Sequence, residues 1–274
     1  MKTPFQQDDC IMLFIAIYCF VDDFHTNTLI TLRPALTRPT QHRPPVKTYN
    51  LTVSELVSLA LFFQFTGHRS WKDFYKYIAT HYQQDFPNLP AYKNFVRAMN
   101  ALSPYAVLLL NAFCAFFRNE TPLEYPKLAD SSRLPVCGPK REFSHKVAKG
   151  LAAKSKTTMG WFYGMRLHIF GLIIADAGYV GREFQEKAQS LGKDMFTAVR
   201  ANMKKLMTKT QHEMLRLRQV VETVFSVLKT RMGMDSTLPR SPLGFFARYI
   251  WCLAAYQLKK YFGHGSTESR PVPQ

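Results

Sequence analysis

The chain has 274 residues, 47% hydrophobic and 14% aromatic, which argues against a disordered or fibrous protein and allows one large domain or two modest ones. Its 36 Lys and Arg against 19 Asp and Glu give a net charge of +17, so the expected partner is a polyanion: nucleic acid first, an anionic membrane surface second. Five widely spaced cysteines, odd in number and without a C-x-x-C pair, argue against a disulfide framework or a zinc ribbon and point to reduced thiols.

In chain order, Cys10 to Phe20 is an apolar run preceded by Asp8 and Asp9 and followed by Asp22 and Asp23. It lacks the basic start and cleavage site of a signal peptide and is shorter than the ~20 residues of a membrane span, so a buried helix over 10–30 and a cytoplasmic, nucleoid-associated protein are expected. Residues 31–50 carry Pro34, Pro39, Pro44 and Pro45 among Arg33, Arg38, Arg43 and Lys47, the pattern of an extended basic linker. A helical region, 51–120, follows. Thr52 with Glu55 is a capping box, Ser70 with Asp73 a second, and Pro90 precedes a helix from Tyr92 to Leu102. That helix would display Lys93, Asn94 and Arg97 as a recognition helix does; an ordinary solvated face is the other reading. Tyr105 to Phe117 is a further, strongly apolar helix.

From Leu123 the pattern turns to strands. Leu128 to Val136 holds Asp130, and Pro135 should end or bend it. Residues 138–156 read as a basic loop, with Lys140, Arg141, Lys146, Lys149, Lys154 and Lys156 against Glu142 alone. Trp161 to Phe170 and Leu172 to Asp176 are strands, with Trp161, Phe162 and Tyr163 read as sheet core. A helix (Arg182 to Leu191), a strand (Met195 to Val199), a long helix (Gln211 to Arg231) and an apolar helix (Pro242 to Lys260) complete the pattern, before a polar tail, 263–274, read as disordered. The fold class is therefore α+β or α/β: a helical N-terminal region followed by a mixed-sheet core over 121–262.

Three carboxylates fall where separate rigid elements could gather them: Asp130 and Asp176 at or near strand ends, Glu222 on a helix. Brought together they repel, at roughly 4 kcal/mol per pair for ~4 Å and an effective dielectric near 20, so cations or raised pKa values must offset them. Hard oxygen donors favour Mg2+ or Mn2+, and two such ions can bridge a phosphate. Arg218, Glu222 and Lys229 share a helix stripe beside a core stripe of Leu217, Val221, Val224 and Leu228. Lys229 could grip a phosphate as a point charge, and an Arg218–Glu222 surface pair is the other reading of that spacing. His145 and His168 are not spaced for a metal and read as structural histidines.

Several stretches together resemble a known family: Asp130-Ser-Ser-Arg-Leu-Pro-Val-Cys137, Ser144-His-Lys-Val147, Gly150-Leu-Ala152, Met159-Gly-Trp-Phe-Tyr-Gly-Met-Arg-Leu-His168, Asp176-Ala-Gly-Tyr179 and Val221-Glu-Thr-Val224, with Thr66-Gly-His-Arg-Ser-Trp-Lys-Asp-Phe-Tyr75 upstream. They are similar to the DDE transposases of bacterial insertion sequences, in particular the family numbered nine-eighty-two. The resemblance implies an RNase H-like core in which Asp130, Asp176 and Glu222 are the catalytic carboxylates and hold two Mg2+ or Mn2+ ions. It implies that Lys229 contacts DNA, that the partners are double-stranded element ends and target DNA, and that the chain acts as a homo-oligomer away from membranes. The implied reaction is cleavage at element ends by water, then attack of the freed 3′-hydroxyl on target DNA. One departure stands out: family members carry a further edge strand and helix between the segments ending at Phe170 and starting at Gly171. The expectation is a sheet lacking that strand, with a catalytically inactive DNA-binding remnant as the alternative function.

Overall fold

The helical region begins where the sequence places its caps. Thr52 Oγ1 accepts the Glu55 amide (3.2 Å) and the Thr52 amide donates to Glu55 Oε2 (2.6 Å), the reciprocal box that opens α2 (Val53–Phe65). Ser70 Oγ likewise accepts the Asp73 amide at the start of α3 (Trp71–His81). The computed structural model describes residues 7–36, 51–120, 127–157, 160–169, 173–175, 186, 195–197, 219–234 and 241–264. They divide into two compact units, 1–117 with 231–274, and 118–230.

The first unit is helical: α1 (Gln7–Leu36), α2, α3, α4 (Tyr92–Ala101), α5 (Ser103–Glu120) and a C-terminal helix, here α7 (Pro242–His264). Its core is aromatic. Phe14 of α1 meets Phe62 and Phe86 edge-on, Phe20 stacks on Phe113 of α5 at 5.5 Å and touches Tyr261 of α7, and Trp71 stacks on Phe63 at 4.1 Å. α7 packs on α2 and α4, where the indole Nε1 of the fully buried Trp251 donates to the Met99 carbonyl (3.1 Å). The sequence grouped this helix with the mixed-sheet core; here it closes the helical unit.

Two more expectations change in this unit. α1 continues to Leu36, so the first six residues of the expected linker are helical; 37–50 lie outside the described residues. The helix is also longer than its apolar run, and Cys10–Asn27 is long and apolar enough to cross a membrane by length and composition. Within it Cys10, Ile17, Phe20, Val21 and Phe24 are buried in the helical core.

The one buried cation described is Arg248 of α7, an interruption of an otherwise apolar helix. It is 5% exposed, its Nη1 donates to Gln64 Oε1 (2.5 Å), its Nη2 to the Met232 carbonyl (3.0 Å), and its guanidinium lies 4.2 Å from the Phe63 ring centroid. Burial pulls its pKa down to about 10, well below that of a free guanidinium.

The second unit is a five-stranded mixed sheet of β1 (Lys127–Cys137), β2 (Ala153–Thr157), β3 (Gly160–Ile169), β4 (Ile173–Ala175) and β5 (Met195–Thr197), with the short helix α6 (Gln219–Ser226) packed on β1. The order is β2-β3-β1-β4-β5; β2, β3 and β1 are antiparallel neighbours, whereas β4 pairs parallel with β1 and with β5. One sequence expectation is corrected here. Residues 153–157 are not loop: they form the edge strand beside β3, so among the described residues the sheet keeps an edge strand on that side. Of the two outcomes expected at Pro135, a distortion rather than an end is found: β1 runs on to Cys137 through a register shift between Pro135 and Cys137. Gly164 faces that irregularity, where any Cβ would run into the Leu134 carbonyl oxygen.

β3 and β4 flank β1 on opposite sides, so the chain between Ile169 and Ile173 must pass β1. Two strand spacings are about 9–10 Å. Ile169 is level with Asp130 and Ile173 with Lys127, so the passage must also travel three residues along β1, about 10 Å. The combined span is about 14 Å, and four chain steps reach at most about 13–14 Å. The expected helix over 182–191 lies outside the described residues except Glu186.

Candidate metal and nucleic-acid site

The register of the sheet places side by side the residues that precede the first two candidate carboxylates. Ala129 of β1 and Ala175 of β4 are partners across adjacent parallel strands, and each is followed in the chain by an aspartate, Asp130 and Asp176. Parallel neighbours lie about 4.8 Å apart, which is the scale on which two carboxylates share one cation. Asp130 continues β1 opposite Ile169. Asp176 and the Asp130 side chain lie outside the described residues. Among the described residues no group of three His, Cys, Asp or Glu gathers in a way that could hold a metal.

Glu222 is the exposed acid of α6, the helix that packs on the strand of Asp130. Phe225 and Leu228 are the buried residues that seat this segment, and Val224 is half-buried. The expected core position Leu217 and the side chain of Val221 lie outside the described residues, as does Arg218. Directly after α6 the helix widens into a π-helical turn, Val227–Arg231, a distortion that often marks functional segments. Lys229 sits in that turn, half-buried, with its Nζ 5.8 Å from the Phe225 ring centroid. The added residue per turn shifts Lys229 off the simple α-helical stripe that the spacing from Glu222 suggested.

The six cations of the stretch after β1 all reach solvent. Lys140 and Arg141 lie in a 3-10 turn (Pro139–Arg141), Lys146 and Lys149 in the following turns, and Lys154 and Lys156 on the edge strand. Glu142 pairs with Lys154 at 3.4 Å, an exposed contact worth about 0–1 kcal/mol. Strand alternation puts Lys154 and Lys156 on the face of Trp161, and their Nζ atoms lie 5.6 and 5.8 Å from the indole centroid. Phe162 and Tyr163 are buried, as the sequence suggested, but Trp161 is 55% exposed. A sheet edge leaves one flank of its aromatic residues open, which period-2 patterning does not reveal. His145 is half-buried with its ring 6.3 Å from that of Tyr163, in keeping with a structural role; the His168 side chain lies outside the described residues.

Lys93 and Arg97 belong to the helical unit. On α4 they are exposed with Asn94, opposite the buried Phe95, Ala98 and Met99. Tyr75 Oη fixes the approach to this helix by donating to the Pro90 carbonyl (3.0 Å).

Residues 124–174 and 169–242 match the family model described as the transposase DDE domain, a region that covers less than half of the chain and contains all three carboxylates. No curated protein and no solved structure matches the chain. The match supports a DDE transposase, a class that acts on DNA and generally uses divalent metal ions.

Proposed function

We propose that the chain is the transposase of a bacterial insertion sequence, related to the family numbered nine-eighty-two, and that it cleaves DNA strands at element ends and transfers them to a target. The observation that carries the reading is the match of residues 124–242 to the transposase DDE domain. It is supported by the Ala129–Ala175 register, which precedes both aspartates on neighbouring parallel strands. The strand order, with two antiparallel strands on one side of β1 and two parallel strands on the other, fits an RNase H-like sheet.

In this reading Asp130, Asp176 and Glu222 hold Mg2+ or Mn2+, and their hard oxygen donors suit those ions. The ions, when bound, supply charge stabilisation at the reacting phosphate. Lys229 takes a phosphate of the bound strand, and Arg218 adds a further phosphate contact. Lys140, Arg141, Lys146, Lys149, Lys154 and Lys156 hold the duplex by its backbone, and Lys93 and Arg97 of α4 add contacts from the helical unit. The family match comes in two pieces that overlap at 169–174; in this reading the overlap marks the place where a further segment of related transposases has been lost.

The test is a magnesium-dependent cleavage assay on duplex DNA spanning the element's ends, with Asp130→Ala as the control. Cleavage by the native chain, reduced at least ~100-fold in the variant, is the expected outcome, since removal of a metal ligand acts directly on transition-state charge. Binding without cleavage would leave only a DNA-binding protein and overturn the catalytic part of the reading.

A further inference from the structure

Trp161 is exposed where the aromatic residues that follow it on β3 are not. Tyr163 shares its face of β3 and is 9% exposed, whereas Trp161 keeps 55% of its surface in solvent. The edge strand pairs Lys156 with Trp161, and Lys154 lies two residues away on the same face, both ammonium groups within 6 Å of the indole centroid. Phe143 is 96% exposed on the preceding turn, next to Glu142, the acid that engages Lys154. Lys140, Arg141, Lys146 and Lys149 extend the positive surface along those turns.

An open aromatic plane with a cation on either strand position suits a particular kind of polyanion. Base pairs in an intact duplex are stacked on one another and offer no free face, so a duplex can use these lysines but not the indole. An unpaired nucleotide offers both: its base can lie on the ring and its adjoining phosphates can reach the ammonium groups. We propose that the β2–β3 hairpin is a stacking platform for unpaired nucleotides, with Trp161 against a base and Lys154 and Lys156 on the neighbouring phosphates. The platform rests on the DNA-acting reading above and refines it: the chain prefers DNA with frayed or single-stranded ends. Recognition there is tolerant of sequence, because every base has a face to stack. Glu142 competes with the phosphates for Lys154 and weakens the site.

The test uses the full chain and fluorescence anisotropy with two labelled probes, a deoxythymidine oligomer of about twelve nucleotides and a blunt duplex. Trp161→Ala should weaken single-strand binding about tenfold and change duplex binding less than about twofold, while Trp161→Phe keeps most of the affinity. Glu142→Gln should tighten single-strand binding about twofold, and Lys154→Gln should lower the salt dependence of log K by about one. Single-strand affinity unchanged in Trp161→Ala, or lost equally for both probes while Trp161→Phe behaves the same way, would overturn the platform and leave the DNA reading intact. A native chain that binds neither probe would overturn the DNA reading itself, and the platform with it.

Discussion

The helical unit and the sheet unit solve different problems. In the helical unit, helices from both ends of the described chain enclose a core with Phe62, Phe63, Phe74, Phe95, Phe113 and Trp251 fully buried. In the sheet unit the buried apolar residues among those described are Leu134, Val136, Ala148, Phe162, Tyr163, Phe225 and Leu228. Yet Asp130, Glu222, Lys229 and the exposed cations of the hairpin all belong to the sheet unit. A surface that must offer carboxylates to metal and lysines to phosphate cannot also be covered with apolar residues. In the described part of the sheet unit, ladder hydrogen bonds and register hold these groups in place.

The largest effect that could break this contrast comes from the helical core. Trp251→Ala removes a fully buried indole and leaves the Met99 carbonyl without its donor. A loss of about 3–5 kcal/mol is expected from the cavity and the lost packing. Hydrogen exchange followed by mass spectrometry should show faster exchange in peptides of α2, α4 and α7, with peptides of β1 and β3 little changed. Equal acceleration in the sheet would mean that the two units unfold as one and that burial in one supports the other.

Gly164→Ala addresses the sheet in turn. The new Cβ would collide with the backbone at Leu134, and a backbone carbonyl in a ladder cannot swing aside as a flexible side chain can. The cost should be about 1–3 kcal/mol, and the exchange pattern should invert: β1 and β3 open, the helices stay protected. A substitution tolerated without loss would mean that β1 and β3 separate easily at the Pro135 irregularity.

The two units also differed in how far sequence could foresee them. α2 and α3 were legible because their signals are local: Thr52 and Glu55, or Ser70 and Asp73, satisfy each other within one turn. β1, β3 and β4 were legible from apolar runs, to within a residue or two at their ends. The edge strand Ala153–Thr157 was not, since Lys154 and Lys156 read as solvated loop, although alternation of lysines two residues before a hairpin is how an exposed edge discourages further pairing. Whether Pro135 would end β1 or only distort it depends on a non-local feature: the glycine opposite it lies on another strand. An apolar helix such as α7 carries no mark of which unit it will cover. Of the candidate site, the adjacency of positions 129 and 175 follows from strand order, and the exposure of Trp161 follows from the location of an edge. Neither is a property of any short stretch of sequence.

The smallest effect is the most particular to this chain. The passage from Ile169 to Ile173 spans about 14 Å with four chain steps that reach about 13–14 Å. A link at its limit would pull on the ends of both strands, and β4 as described is three residues long. Two glycines inserted between Phe170 and Gly171 would give slack. The added closure entropy is small, under about 0.6 kcal/mol by the logarithmic dependence on loop length, so any strain greater than that appears as a gain. The sheet unit of the insertion variant should therefore melt a few degrees higher, about 2–4 °C for a gain near 1 kcal/mol, with slower exchange in β4 and the helical unit unaffected. A lower melting point would show that the short crossing is relaxed, and the register between Ala129 and Ala175 would then owe nothing to tension in the chain that follows β3.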